Sequence, residues 1–265
     1  MARLVLQLAY DGTHFCGWQI QPGQRTVQGS LQQALSTICN QQVKVHGSGR
    51  TDAGAHALGQ AAHCDVPENK VEVPWRRALN SLLPGDVCVL SAWWEDSSFH
   101  ARHSARGKVY SYTLWTASEY VLPQRRPYVW PTGPLDQEAM REAVRVLLGR
   151  RDFAAMQNVG TPLAHTVRSV SRVRLCWGER PEELVCFFTA DGFLKQMVRV
   201  MASCLVEAGR HRLGPRELED ILGSLDRCRA PATAPAKGLC LERVFYDKPD
   251  SAGGTANRKP EWTGL

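Results

Sequence analysis

The sequence predicts an α+β fold, and three observations lead to that class. The chain has 265 residues, 43% of them hydrophobic, which is enough to bury the core of one large domain or two small ones. Its apolar pattern alternates between the two-residue period of strands and the three- to four-residue period of helices. In the first hundred residues the order is strand, helix, strand, strand, helix, strand. This is the ferredoxin-like βαββαβ order, in which helices cover one face of an antiparallel sheet.

The first half supplies the elements of this order one by one. Residues 3–10 alternate between apolar and polar side chains and predict a strand. From Val27 to Ile38 apolar residues recur at helical spacing, and Thr26 is a suitable N-cap. The remaining predicted elements are a short strand over 41–46, a strand over 58–66, a helix over 73–83 and a strand over 87–94.

The second half follows a looser version of this order. Residues 108–116 alternate as a strand that places Tyr110, Tyr112 and Leu114 on one face. The other predicted elements are a helix that Asp136 caps and Gly149 ends, strands over 169–177 and 184–190, helices over 193–208 and 215–225, and a strand over 238–246. A boundary within 97–106 divides the chain into domains 1–106 and 107–246. The stretch 247–265 has little apolar content and is expected to be a disordered tail.

The composition indicates a soluble protein of a reducing compartment. No apolar run is long enough to cross a bilayer, and the first residues lead into a strand pattern rather than a signal peptide. The nine cysteines include no Cys-x-x-Cys pair, which argues against a zinc ribbon or a disulfide framework and favours a cytoplasmic protein. The net charge of +6, with a pI near 8.9, is compatible with an RNA partner without requiring one.

A glycine-rich loop between two predicted strands, residues 47–56, holds the side chains best suited to chemistry. Its three glycines allow turns that other residues avoid, and they allow the backbone to approach a ligand closely. One cation, Arg50, and one carboxylate, Asp52, lie among these glycines. On composition alone, a charged hairpin turn is the more common explanation of such a stretch.

The run Gly49-Arg50-Thr51-Asp52-Ala53-Gly54, followed by His56, resembles the catalytic signature of the TruA family of tRNA pseudouridine synthases. Four other stretches carry the same resemblance, which extends from about residue 4 to residue 246. They are Tyr10-Asp11-Gly12-Thr13 with Phe15 and Gly17, Phe99-His100-Ala101-Arg102 with Ser104-Ala105, Tyr110-Ser111-Tyr112, and Phe193 with Met197-Val198-Arg199. Two departures stand out: Ala55 occupies a position where valine is usual, and residues 157–166 match poorly apart from Thr166-Val167-Arg168.

The resemblance implies an arrangement, a substrate and the absence of a cofactor or metal. Two halves would join their sheets into one extended, mainly antiparallel sheet with a basic cleft between them, and two chains would form a homodimer. The substrate would be tRNA, with uridines 38, 39 and 40 of the anticodon stem-loop as targets. The residues implied in RNA binding are Tyr110, Phe99, His100, Ala101, Arg102, His103 and Arg168.

The chemistry gives each implied catalytic residue a physical task. Isomerisation breaks the bond between uracil and ribose, and Asp52 is the carboxylate that acts as nucleophile or balances an oxocarbenium-like sugar. Whether it attacks ribose or uracil stays open. Arg199, on an otherwise apolar helix, would offset the cost of burying that carboxylate. Arg50 would fill the gap that a flipped base leaves, and Tyr110 would stack on the base and help to remove a proton from carbon 5. Without the resemblance, Arg199 is explained as a surface arginine and Tyr110 as cross-strand packing.

Two other classes of protein remain open at this point. A metal-dependent hydrolase would bind zinc through Asp52, His56 and His63, although Gly54 argues against the helix that the spacing of the first two would suit. A non-catalytic RNA-binding module would read RNA with exposed aromatic side chains on its strands. Such a module has no use for a carboxylate in a loop that faces phosphate, so Asp52 beside Arg50 favours an enzyme.

Overall fold

The computed structural model describes residues 1–158, 160 and 165–246 of the chain, and within them ten strands alternate with five α-helices. The strands are β1 (Ala2–Tyr10), β2 (Val45–Gly47), β3 (His56–Val66), β4 (Val87–Glu95), β5 (Ala105–Trp115), β6 (Trp130–Pro131), β7 (Gly149–Asp152), β8 (Val167–Trp177), β9 (Glu183–Ala190) and β10 (Leu239–Tyr246). The helices are α1 (Val27–Cys39), α2 (Trp75–Asn80), α3 (Gln137–Leu147), α4 (Met197–Gly209) and α5 (Pro215–Ser224). The predicted α+β class is confirmed.

All of these strands belong to one sheet, in the order β4-β1-β3-β10-β5-β9-β8-β7. The short strand β2 pairs with β3, and β6 pairs with β5. Neighbouring strands run antiparallel, except for two short parallel contacts, β3 with β10 and β5 with β6. Among the described strands, only β2 with β3, β7 with β8 and β8 with β9 are antiparallel neighbours that follow each other in the chain, and the other antiparallel pairs join strands that are distant in sequence.

Strand β10 joins the first and second halves of the chain. It pairs in parallel with β3 at His56 and Ala57 and antiparallel with β5 from Ala105 to Tyr112. The contact with β3 is close: a Cβ added at Gly59 would lie 2.2 Å from the carbonyl oxygen of Glu242. Only glycine allows the two backbones to approach at this point.

Side-chain caps and apolar faces fix the helices as the sequence predicts. Thr26 accepts a hydrogen bond from the Gly29 amide at the start of α1, and Asp136 accepts two at the start of α3. On the sheet, Tyr112 and Leu114 of β5 are fully buried and Tyr110 is nearly so. These three residues share one face, as the alternation predicts.

Several predicted bounds are wrong, and the structure gives the reasons. The strand expected over 41–46 begins only at Val45, because side chains of α1 take the backbone amides before it: Ser36 accepts from Val43 and Gln32 accepts from Val45. The helix expected from residue 193 begins at Met197, because Gln196 has a left-handed backbone with φ of 65°.

Three other elements also differ from prediction. The helix expected over 73–83 is limited to Trp75–Asn80, directly after Pro74. Strands β6 and β7 were not predicted, since they have two and four residues with too little alternation to recognise. The expected disordered tail, 247–265, lies outside the described residues.

The helices of the described chain give no candidate for a membrane span.

Candidate active site

The glycine-rich loop 47–56 rests on an earlier loop, residues 11–18. The Trp18 amide donates to the Thr51 carbonyl at 3.1 Å, and the Gly54 amide donates to the Phe15 carbonyl at 3.3 Å. A Cβ at Gly12 would lie 1.9 Å from the Ala55 carbonyl oxygen, so only glycine fits there. The glycines of the Asp-Gly-Thr segment therefore serve to support the signature loop.

A buried polar network holds the first residues of the same loop. The Ser48 hydroxyl donates to the Gln60 side-chain oxygen at 2.7 Å, and the Gln60 amide donates to the Gly49 carbonyl at 2.9 Å. The hydroxyls of Tyr10 and Thr51 are 2.9 Å apart. Because buried polar groups are costly to leave unpaired, this network fixes the backbone that leads to Asp52.

Asp52 forms an ion pair with Arg199 of α4. The Arg199 Nη1 atom donates to Asp52 Oδ2 at 2.5 Å, and the two side chains are 14% and 25% exposed. The Arg199 Nε atom donates to the Ala234 carbonyl at 2.7 Å, which orients the guanidinium toward the loop. The pairing joins residues 147 positions apart and brings together the two residues that the sequence resemblance placed in one site.

Tyr110 lies beside this ion pair on β5. Burial raises its pKa above the ordinary value, and the charges of Tyr10 and Asp52 raise it further. The ring packs edge to face on Phe193, with ring centroids 5.2 Å apart. Among the described residues its hydroxyl has no hydrogen-bond partner. The Tyr112 hydroxyl, by contrast, donates to the Pro235 carbonyl at 2.6 Å.

Arg50 is exposed and takes no part in the ion pair. Its Nε atom donates to the Gln19 side-chain oxygen at 3.1 Å. It therefore shares the loop with Asp52 without contacting it, and its guanidinium is accessible from solvent.

The segment 99–103 forms the turn between β4 and β5. Ala101 is fully buried: its amide donates to His63 Nδ1 at 3.1 Å, and its carbonyl accepts from the Tyr246 hydroxyl at 2.7 Å. Phe99 packs against the Tyr246 ring, with ring centroids 5.0 Å apart. Arg102 is exposed beside this fixed turn.

Four histidine rings pack against one another beside the same turn. His63 contacts His46 and His100, and His100 contacts His103, with ring centroids 4.3 to 5.0 Å apart. Burial, then the charges of His100, Arg3 and His46, lower the pKa of His63 to about 4. His63 is therefore neutral at pH 7.

The three residues of the metal-hydrolase alternative do not converge. Asp52 binds Arg199, His63 accepts from Ala101, and His56 lies in backbone hydrogen bonds. Over residues 1–158, 160 and 165–246, no group of three or more potential ligands is arranged to hold a metal ion.

Arg168, at the start of β8, is bonded to backbone next to it. Its Nη1 atom donates to the Val167 carbonyl at 2.6 Å and to the His165 carbonyl at 3.3 Å. The structure does not bring Arg168 into contact with Asp52. Of the poorly matching stretch 157–166, residues 159 and 161–164 lie outside the described chain.

His56 closes the signature loop on its other side. Its Nδ1 atom accepts from the Gly12 amide at 3.1 Å, and its Nε2 atom lies 3.0 Å from the Pro127 carbonyl and 3.2 Å from the Lys237 carbonyl. A cavity of about 460 Å³ borders this ring and includes Ser111 and Glu242 but none of the four candidate catalytic residues. Ser111 follows Tyr110, so the cavity lies on the opposite face of the sheet.

Comparison with known proteins decides the family. The model of a family described as tRNA pseudouridine synthase matches residues 8–104 and 143–247. The chain belongs to this family. The matched segments include Arg50, Asp52, Arg168 and Arg199, whereas Tyr110 lies between the two segments.

Relatives of the tRNA pseudouridine synthase family match nearly the whole chain. A tRNA pseudouridine synthase A of Solidesulfovibrio magneticus is 52% identical over 96% of this chain and 94% of its own length. That of Maridesulfovibrio salexigens is 49% identical over 97% and 94%, and that of Geobacillus kaustophilus is 40% identical over 92% and 95%. The solved structure of a Cbf5-Nop10-Gar1 complex aligns at a TM-score of 0.34 and 10% identity over 92% of this chain and 60% of that chain, which is too weak to carry an argument.

The sequence did not reveal the residues that support the site of this pseudouridine synthase. Ser48 and Gln60 position the signature loop, and Ala234 positions Arg199. In the sequence each of them resembles an ordinary core or loop residue. Gln60 did carry a signal, as a polar residue in a buried strand. Ala234 carried none, because it acts through its backbone carbonyl.

Proposed function

We propose that the chain converts uridine to pseudouridine at positions 38, 39 and 40 of the tRNA anticodon stem-loop. Family membership supports isomerisation of uridine in tRNA, and the curated relatives carry the name tRNA pseudouridine synthase A. The observation that carries the catalytic assignment is the ion pair between Asp52 of the signature loop and Arg199. It places a carboxylate in a partly exposed position with its charge balanced.

Asp52 is the nucleophile of the proposed reaction. Asp52 forms a bond to the substrate as the bond between uracil nitrogen and ribose breaks, and the base turns. Asp52 is released again once carbon 5 has joined ribose, and the proton lost from carbon 5 is matched by one gained at the freed ring nitrogen. No atom is gained or lost overall. Arg199 holds Asp52 in position, since one of its nitrogens donates to the Ala234 carbonyl and another donates to the carboxylate.

Tyr110 and Arg50 handle the flipped nucleotide. Tyr110 has a fixed ring and an unbonded hydroxyl near Asp52, which suits stacking on uracil and assisting the loss of its carbon-5 proton. Arg50 is exposed on the loop, so its side chain can enter the stem where the base has left.

The proposed RNA surface follows the turn at 99–103 and reaches Arg168. The buried Ala101 anchors this turn, which leaves His103 and Arg102 exposed to track phosphates and His100 partly so. The surface forms part of a basic cleft between two ferredoxin-like halves, 1–106 and 107–246, with helices on one face of the sheet. The antiparallel pairing of β1 with β3 and β4, and of β2 with β3, supports this arrangement for the first half.

Two copies of the chain act together as a homodimer, because one cleft is small for a whole tRNA and C2 dimers are the commonest closed assembly. Light scattering at micromolar concentration should give twice the chain mass of 29.5 kDa. An active species of single-chain mass would remove the dimer from this proposal.

Incubation of the protein with unmodified tRNA, followed by mapping of pseudouridine, tests the proposed function. We expect modification at uridines 38, 39 and 40, and none in a matched tRNA with cytidine at those positions. Tight binding without any pseudouridine would favour the RNA-binding module instead. Loss of activity with a chelator and its return with zinc would favour the metal-dependent enzyme.

A further inference from the structure

The 230–235 segment, between α5 and β10, is held in place by side chains of other elements. It belongs to none of the described helices and strands, so it has no regular backbone hydrogen bonds of its own. The Ala232 carbonyl accepts from the Ser203 hydroxyl, and the Pro235 carbonyl accepts from the Tyr112 hydroxyl, both at 2.6 Å. A cavity of about 470 Å³ borders the first four residues of the segment. Since packing is open on that side, the position of the segment depends on its hydrogen bonds.

Arg199 is bonded to this segment through its backbone and through its side chain. The Arg199 Nε atom donates to the Ala234 carbonyl at 2.7 Å, and the Ala234 amide donates to the Arg199 carbonyl at 3.4 Å. Because Nε and Nη1 belong to one planar guanidinium, the Ala234 carbonyl also sets the direction in which Nη1 reaches Asp52. A shift of the 230–235 segment would therefore change the geometry of the Asp52–Arg199 ion pair.

Arg227, in the short 3₁₀ turn that follows α5, bonds to the same segment at two points. Its Nη1 atom donates to the Ala230 carbonyl at 3.1 Å, and its Nη2 atom donates to the Thr233 hydroxyl at 2.9 Å. Among the described residues no carboxylate pairs with Arg227, and its side chain is half-buried. The forked guanidinium therefore serves to fix two points of the 230–235 segment at once.

The Thr233 hydroxyl extends this link to the start of α4. It accepts from Arg227 and donates to the Gln196 side-chain oxygen at 3.3 Å. Gln196 directly precedes α4 and has a left-handed backbone, a conformation that persists only where the surroundings hold it. Arg199 lies three positions further along the same chain. The bonds of Arg227 and Thr233 thus join the 230–235 segment to the helix that carries Arg199.

We propose that Arg227 is a positioning residue for the isomerisation and acts through Thr233 and Ala234 on the guanidinium of Arg199. The proposal rests on the proposed function, because it takes the Asp52–Arg199 pair as the reacting centre. The hydrogen bonds of Arg227 within the described chain reach neither Asp52 nor Arg199, so its effect passes through the 230–235 segment. Loss of Arg227 slows the chemical step and leaves tRNA binding intact, since a misplaced catalytic group costs rate even on bound substrate.

The first test compares the rate of pseudouridine formation at saturating unmodified tRNA with the affinity for that tRNA, using the full chain. Arg227→Met should lower the rate roughly ten- to hundredfold and change the affinity by less than about twofold. Arg229→Met is the matched control. Arg229 lies in the same turn, is exposed, and donates to the Asp220 carbonyl at 3.5 Å instead of to the segment. This control should change neither quantity.

A pair of substitutions at Thr233 tests the link without removing a charge. Thr233→Val keeps the shape of the side chain but removes the hydroxyl that bonds to Arg227 and Gln196, so the rate should fall as it does in Arg227→Met. Thr233→Ser keeps the hydroxyl and should keep the rate to within about twofold. The pair also decides the matter if Arg227→Met does not fold, because equal rates of the two Thr233 variants would overturn the proposal.

The Arg199→Lys background tests whether the effect passes through Arg199. Lysine has a single ammonium and cannot bond to the Ala234 carbonyl and to Asp52 through two fixed nitrogens. The 230–235 segment then no longer sets the direction of the cation, so Arg227→Met should cause little further loss of rate in this background.

Three results would overturn the positioning role of Arg227. They are an unchanged rate in folded Arg227→Met, an equal loss of rate in the Arg199→Lys background and in the unaltered one, and weaker tRNA binding with an unchanged rate at saturation. The last result would make Arg227 an RNA contact. The proposed function fails by a different measurement, namely the absence of pseudouridine after incubation with the unaltered protein.

Discussion

Asp52 and His56 of the signature loop face different surroundings, although they are only four positions apart. Asp52 is 25% exposed and its carboxylate bonds to one cation, which leaves part of it open to a substrate. His56 is 7% exposed, and both of its ring nitrogens lie within hydrogen-bond distance of backbone groups from other segments. The Asp52 carboxylate can therefore accept further hydrogen bonds, whereas both ring nitrogens of His56 already have partners.

This difference shows that residues of one short motif can have different roles. Asp52 has the surroundings of a reacting group, held but accessible. His56 has the surroundings of a structural residue that ties the loop to Gly12, Pro127 and Lys237. Sequence resemblance alone does not distinguish the roles of Asp52 and His56, whereas their hydrogen-bond partners in the structure do. Substitutions at Asp52, at the tyrosine pair Tyr110 and Tyr112, and at His56 test whether reacting and structural residues separate in this way.

The largest effect is expected for Asp52→Asn. The amide keeps the size of the carboxylate but can neither attack nor balance a cationic sugar, so the rate should fall by roughly several powers of ten. Affinity for tRNA should survive, because cations bind the phosphates. Single-turnover assays of pseudouridine formation and filter binding measure the two quantities. Asp220→Asn, on the exposed side of α5, is the control, and appreciable activity of Asp52→Asn would mean that another group performs the chemistry.

An intermediate effect should separate Tyr110 from Tyr112. Tyr110→Phe keeps the ring but removes a hydroxyl without a described partner, so the rate should fall roughly a hundredfold while stability stays the same. Tyr112→Phe leaves the Pro235 carbonyl unpaired and should cost about 1 to 3 kcal/mol of unfolding free energy with little change in rate. Turnover and urea unfolding of both variants give the comparison, and the reverse pattern would move the catalytic hydroxyl to Tyr112.

The smallest effect on the reaction is expected for His56→Gln. Glutamine cannot replace the bonds to three backbone segments, so the unfolding free energy should fall by about 1 to 3 kcal/mol. Turnover measured well below the unfolding transition should change little. His14→Gln, at an exposed position in the supporting loop, serves as the control. A rate loss as deep as that of Asp52→Asn, with an unchanged unfolding midpoint, would show that His56 takes part in the chemistry.

The sequence predicted helices and strands correctly where they are long and periodic. It did not predict bounds and strand pairings that depend on tertiary contacts. Thr26 and Asp136 mark helix starts through local hydrogen bonds, so their sequence context was sufficient. The strand before Val45 is shortened by side chains of α1, and no local pattern shows that competition. The place of β10 between β3 and β5 was also hidden, since pairing partners depend on the whole sheet.

For the site, the family resemblance predicted that Arg199 lies near Asp52, and in the structure the two side chains form an ion pair. Residues that act through backbone atoms, such as Ala234, leave no trace in a sequence. Lys108 was not singled out, because its bond to the Ser48 carbonyl beneath the signature loop is a property of the folded chain. Physical reasoning on sequence thus finds candidate reacting groups more readily than the groups that hold them.

The position of β10 also sets the order of events during translation. The inner edges of β3 and β5 meet the same strand, whose residues 239–246 leave the ribosome after all the other described elements. Until then the nascent first half offers an open edge at β3, and pairing must close a loop of some two hundred residues. An interrupted chain that ends before residue 239 would therefore expose two unpaired strand edges prone to aggregation.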